Sequence, residues 1–201
     1  MPRSKKQFEE MRNLTRDKIQ TAAIHLFAKK GLAATNVQEI ADAAGISIGL
    51  LYKHYKTKED LFYELVEFAF NGLNNINVRL RTDESPKAII EQIIDEIYED
   101  LASNEDYTNL LTLLTQVLLS GKEDEKLAGL LEQDLTMFKA LSDLVRRGQE
   151  LGEFRSGDPF EMAVLFFSAI QGITIVRAAF HPIKLPNKSL LKNLLCEEKN
   201  L

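Results

Sequence analysis

The chain has 201 residues, 45% hydrophobic and 27% charged, with 10 Gly and 5 Pro; this is the make-up of a globular protein that buries a core, not of a disordered or fibrous chain. A single cysteine, Cys196, excludes an intramolecular disulfide and every multi-cysteine metal site, and fits a reducing cytoplasm. The net charge of -5 hides an asymmetry: residues 1–60 carry 11 Lys+Arg against 7 Asp+Glu and residues 61–201 carry 14 against 23, so a basic head precedes an acidic body.

Taken in chain order, Met1-Pro2-Arg3-Ser4-Lys5-Lys6 has no apolar run behind it, so no secretory signal is expected. Arg3, Lys5 and Lys6 read equally as an arm that tracks DNA or as a solubilising end. Ile19, Ala22, Ala23, Leu26 and Phe27 recur at helical spacing and predict an amphipathic helix that stops at Gly31. Thr35 with Gln38 reads as a capping box for a second, two-turn helix, whose apolar face is Val37, Ile40, Ala41 and Ala44 and whose stop is Gly45. Ser47 caps a third short helix through about Tyr55. Thr57 with Asp60 opens a fourth, about Lys58 to Leu80, which would join head to body without a flexible joint.

Breaks at Thr82 to Pro86, Ser103-Asn104, Gly121 to Asp124, Gly152 to Pro159 and His181 to Asn187 separate five further helices. Three of them carry wide apolar stripes: Ile89, Ile90, Ile93, Ile94 and Ile97; Leu110, Leu111, Leu114, Val117 and Leu118; Leu127, Leu131, Leu135, Phe138 and Leu141. No stretch alternates with period 2 over strand length. The expected fold is all-α: an N-terminal three-helix head with a helix-turn-helix over 1–57, joined by a long helix to a C-terminal bundle of about five further helices within 58–201. The apolar windows Leu110–Leu119 and Ala163–Phe180 are respectively too short for a bilayer and interrupted by Gln171 and Arg177, so no membrane partner is expected.

Two short helices around Gly45-Ile46-Ser47 match the helix-turn-helix, in which a small residue permits the tight turn and the second helix enters the major groove. The whole segment TNVQEIADAAGISIGLLYKHYKTKEDL, Thr35 to Leu61, strongly resembles the signature of the TetR (tetracycline-repressor) family, and the likeness extends over about residues 12–65. Beyond that it weakens to helix count and length. Carried over by position, the resemblance implies that Thr35, Asn36, Tyr52, His54 and Lys58 lie against DNA phosphates and that Ile48, Gly49, Leu50 and Lys53 face the bases. Lys58 beside the free N–H groups that open the fourth helix, and Tyr52 with its hydroxyl on a rigid arm, suit phosphate. Taken alone, Lys53, Lys56 and Lys58 would read as a solvated helix face.

The resemblance further implies an effector cavity in the body, with candidate polar liners Asn71, Asn74, Tyr98, Thr112, Thr115 and Gln116; each also reads as a capped or solvent-facing residue. The helix from about Pro159 to Phe180 is apolar nearly all round and needs partners on more than one face. Phe166, Ala169, Gly172 and Ile173, with Leu191 and Leu194 of the last helix, are expected at a homodimer interface, and an internal-core reading stays open. The implied function is a cytoplasmic, ligand-responsive regulator: a repressor that binds double-stranded DNA as a homodimer and is released from a palindromic operator by a small apolar or amphipathic molecule. The alternative is a DNA-bound body that recruits a protein partner; a preformed cavity would favour the first reading and a solid core the second. An enzyme is disfavoured. His25, His54 and His181 each lack an acidic residue three positions earlier, and no nucleophile-elbow or Walker sequence occurs, so neither metal nor cofactor is expected.

Overall fold

Side chains that cap helices, and glycines with positive φ such as Gly31 and Gly45, set boundaries. The computed structural model describes residues 5–103, 105–120, 125–180 and 183–196. Its helices are α1 (Lys5–Ala34), α2 (Val37–Ala43), α3 (Ile48–His54), α4 (Lys58–Arg79), α5 (Pro86–Ser103), α6 (Glu105–Ser120), α7 (Glu125–Glu150), α8 (Pro159–Ala179) and α9 (Lys188–Leu195), and the described residues contain no strand. The stop expected at Gly31 is a break in α1, where the backbone turns to φ 77° and ψ 166°, a combination only glycine adopts at low cost. The side chains of Arg3, Lys5 and Lys6, and of Leu131 and Leu135 in the expected α7 stripe, lie outside the described residues.

The α2 cap corrects the sequence reading by one residue. Asn36, not Thr35, is the N-cap: its Oδ1 accepts from Glu39 N at 2.8 Å, and Glu39 Oε2 accepts from Asn36 N at 3.1 Å. Thr35 cannot fill that role, because its hydroxyl donates to Gly31 O at 2.8 Å and the residue is only 1% exposed. The box at Thr57 and Asp60 forms as expected, with Asp60 N donating to Thr57 Oγ1 at 3.0 Å and Thr57 N to Asp60 Oδ2 at 3.2 Å.

The described chain divides into two compact units, one up to Phe68 and one from Ala69, so the division falls within α4 rather than at its start. The first part of α4 packs with the head: Phe62 meets Phe27 edge-on at 5.5 Å between ring centroids. The head core is built from Ile19, Ala23, Phe27, Ile40, Leu51, Leu61 and Val66. In the second unit α7 packs on α8, α8 on α6 and α9, and α5 on α6, α7 and α9. Ile90, Ile94, Leu101, Leu144, Val145, Ala163 and Leu195 lie at its centre.

Helix α8 has two apolar faces. Met162, Ala163, Phe166 and Thr174 are buried, whereas Val164, Leu165, Ser168, Gly172, Ile175 and Val176 are exposed. Of the six residues expected at the interface, Phe166 and Leu191 are core residues instead, Ala169, Ile173 and Leu194 are half-buried against that core, and Gly172 is exposed. By length and composition α8 would also be long and apolar enough to cross a membrane, since Gln171 and Arg177 do not lower its hydropathy enough to prevent it.

Candidate nucleic-acid interface and body cavity

The turn between α2 and α3 begins at Gly45, with φ 66°, and is closed by Ile46 N donating to Ala41 O at 3.0 Å. Ser47 Oγ then accepts from Leu50 N at 3.2 Å and starts α3. Leu51 and Tyr55 anchor α3 in the head core, with 1% and 5% exposed. The opposite face presents Ile48, Gly49, Tyr52 and Lys53 to solvent, and Leu50 is half-buried at its edge. A Cβ added at Gly49 would meet no atom within 4 Å, so this side of α3 is open to close approach. That face offers apolar contact from Ile48, a phenol from Tyr52 and one cation from Lys53, a set suited to thymine methyls, a phosphate and a guanine edge respectively.

The end of α3 is tied down by a polar cluster that sequence reasoning did not find. Tyr55 Oη donates to Glu64 Oε1 at 2.8 Å, Arg16 Nε donates to Glu64 Oε1 at 3.2 Å, and Gln20 Nε2 donates to the same oxygen at 2.5 Å. Burial, reinforced by the bond to Glu64, pushes the Tyr55 phenol up to about 12. Burial alone would raise Glu64, but the bonds from Arg16 and Tyr55 outweigh it and hold the carboxyl below its ordinary value. The bond to Glu64, then that to Tyr55, raises Arg16 further into its charged range. The only sequence signal was a tyrosine where the apolar pattern needed no hydroxyl.

His54 is half-buried, and burial followed by the charges of Arg12 and Arg16 moves its pKa below 6.5, so the imidazole is neutral near pH 7. Asn36 is exposed, with its side chain engaged in capping α2. Thr35 and Lys58 face inward. Lys58 Nζ donates to Thr35 O at 2.7 Å and Leu32 O at 2.9 Å, with Ala33 O at 3.4 Å, and so closes off carbonyls at the end of α1. A phosphate at Lys58 would have to compete with these.

The body holds an apolar cavity of about 70 Å³ between α4, α5, α6, α7 and α8. Leu73, Ile76, Ile93, Ile97, Phe166 and Ile170 are among its walls, and its polar liners are Tyr107, Gln171 and Thr174. None of the six residues expected there lines it. Asn71 and Asn74 are exposed, because α4 turns Leu73 and Ile76 inward instead. The Thr112 hydroxyl donates to its own helix at Thr108 O, 2.9 Å away, and Tyr98 is buried in the core away from the cavity. Thr115 touches a lining residue, its hydroxyl lying 3.3 Å from Gln171 Oε1. Burial pushes the Tyr107 phenol up to about 12, with Asp100 and Glu96 adding to it. Among the described residues no group of three or more His, Cys, Asp or Glu side chains could hold a metal ion.

Residues 19–65 match the family model described as bacterial regulatory proteins, tetR family. The chain is 35% identical over 118 residues to the HTH-type transcriptional regulator YerO of Bacillus subtilis, a stretch covering 57% of this chain and 40% of that protein. It is 27% identical over 152 residues to the HTH-type transcriptional repressor KstR2 of Rhodococcus jostii, covering 75% and 73%. The chain thus spans well under two thirds of YerO, and a match to AcrR of Shigella flexneri covers 47% of that relative. Among solved structures, the ketosteroid transcriptional regulator KstR2 of Mycobacterium tuberculosis shares the fold at a TM-score of 0.73 and 19% identity, covering 91% of this chain and 95% of the other. AmtR of Mycobacterium smegmatis does so at 0.68 and 21%, covering 89% and 82%.

Proposed function

The chain belongs to the tetR family of bacterial regulatory proteins, whose relatives are transcriptional regulators rather than enzymes, and on that premise we propose a homodimeric repressor that reads a palindromic DNA site and is released by a small molecule. The observation that carries the DNA reading is the outward face of α3, with Ile48, Gly49, Tyr52 and Lys53 exposed on a helix anchored from behind by Leu51 and Tyr55. Lys53 supplies the hydrogen-bonding base contact, Ile48, Gly49 and Leu50 supply shape, and Tyr52 with Asn36 meets phosphate. His54 sits beside them uncharged. Thr35 and Lys58 support the interface from inside the head. The protein works in the cytoplasm, where its DNA is.

The second copy docks on the outward apolar face of α8, around Leu165, Ser168, Gly172 and Ile175. Small residues there allow close helix approach, and an exposed apolar strip of this length needs a cover. The cavity supports the small-molecule reading over protein recruitment, although at about 70 Å³ it is well below the roughly 300–1,000 Å³ of drug-sized sites, so the effector is compact or displaces wall side chains.

Sedimentation of the full chain and of Ile175→Glu, with duplex binding measured for both, tests the assembly. A wild-type dimer and a monomeric, weakly binding variant are expected, because a carboxylate cannot be buried unpaired in the interface. A variant that remains dimeric would place the interface elsewhere.

A further inference from the structure

The pairing of the cavity's polar liners narrows what can occupy it. Thr115 has one hydroxyl proton and two acceptors in reach, Leu111 O at 2.9 Å and Gln171 Oε1 at 3.3 Å. The nearer acceptor is a carbonyl of its own helix, so Thr115 is satisfied without Gln171. Thr174 likewise donates to Ile170 O at 3.1 Å. The Gln171 carboxamide lines the cavity, and the Thr115 hydroxyl is its one side-chain partner among the described residues. Its NH₂ and carbonyl can together serve a hydroxyl or a carbonyl group. None of the described lining residues carries a charge, so a carboxylate, phosphate or ammonium inside would be desolvated without a counter-charge.

We propose that the effector is a compact, uncharged molecule with one hydroxyl or carbonyl group, anchored by the Gln171 carboxamide in place of Thr115. The proposal rests on reading this cavity as the effector site. Exchange at Gln171 leaves no buried orphan, since Thr115 keeps its bond to Leu111 O. Gln171 also lies beside Gly172 on α8, so an occupant pulls on the helix whose other face is exposed and apolar.

The test is titration of the full-length chain, wild type and Gln171→Leu, with four probes of one ring size: cyclopentanol, cyclopentane, cyclopentanecarboxylate and cyclopentylamine. Isoleucine methyl NMR reads the cavity directly through Ile93, Ile97 and Ile170. The expectation for the wild type is that cyclopentanol and cyclopentane perturb these methyls, while neither ion does at equal concentration. In Gln171→Leu, cyclopentanol should bind about three- to tenfold more weakly with cyclopentane undiminished, which shows the variant folded and its cavity intact. Ion binding as tight as that of the alcohol, or a Gln171→Leu affinity for the alcohol equal to wild type, overturns the proposal. Failure of both cyclopentanol and cyclopentane to reach the cavity methyls overturns the effector-site reading and the proposal with it.

Discussion

The Tyr55 hydroxyl donates to Glu64 Oε1 at 2.8 Å, and through that carboxylate the residue ending α3 is linked to Arg16 and Gln20 of α1. Three helices of the head meet at one acidic side chain, and the orientation of the exposed face of α3 depends on it.

Tyr55→Phe keeps the ring and removes only the hydroxyl, which donates to Glu64 and accepts from Arg16 Nε at 3.2 Å and Gln20 Nε2 at 3.3 Å. Glu64 retains Arg16 and Gln20, so the head should lose about 1–2 kcal/mol rather than unfold. Denaturant unfolding followed by circular dichroism reads this. Because the folded Glu64 pKa lies below its ordinary 4.5, its contribution is complete above that pH and is lost as pH falls through the folded value. Glu64→Gln should flatten that acid limb, and an unchanged limb would remove Glu64 from the account.

His54 behaves in the opposite chemical sense with the same pH direction. Its folded pKa lies below 6.5, so the unfolded chain takes up the proton first, and stability present above 6.5 declines as pH falls beneath it. NMR titration of the imidazole, alongside the stability of His54→Asn, checks the sign. A pKa above 6.5 in the free protein would contradict the burial and the two arginine charges.

Lys58→Ala should lower stability, by taking the ammonium donor away from the Thr35 carbonyl and leaving Leu32 O with only Thr35 N, and should leave the salt dependence of DNA binding nearly unchanged. A phosphate contact would instead reduce the salt slope by about 1. Binding at several salt concentrations, paired with an unfolding curve, separates the two.

Lys53→Ala should weaken binding to the preferred site by about 1–3 kcal/mol and relax specificity at one base pair per half-site, since Ile48, Gly49 and Leu50 have no side-chain donor or acceptor. Single-base operator variants measure it. A uniform loss across all variants would make Lys53 a backbone contact.

Much of this was legible in the sequence where one residue type has one physical use. Glycine marked the turns at 31 and 45, Ser47 and Thr57 marked helix starts, and the apolar spacing gave the all-helical order. Thr35 and Asn36 are both capable caps, and only the buried acceptor at Gly31 O decides between them. In α8 the phase was invisible, because a helix apolar on every side gives no sign of which face meets the core; Phe166 points in and Ile175 out with nothing in composition to separate them. The cavity liners failed for a related reason. Polar type suggested Asn71 and Asn74, whereas position on the inward row selected Leu73 and Ile76 and brought in Gln171, a residue conspicuous only for interrupting an apolar helix.

The most direct measurement of DNA reading by a dimer is selection of bound duplexes from a random library by the 201-residue chain. The expected result is enrichment of an inverted repeat whose half-sites lie on one DNA face, roughly 34–36 Å apart or a multiple of it, with one position per half-site lost in Lys53→Ala. No enrichment, or a motif without two-fold symmetry, would contradict that reading.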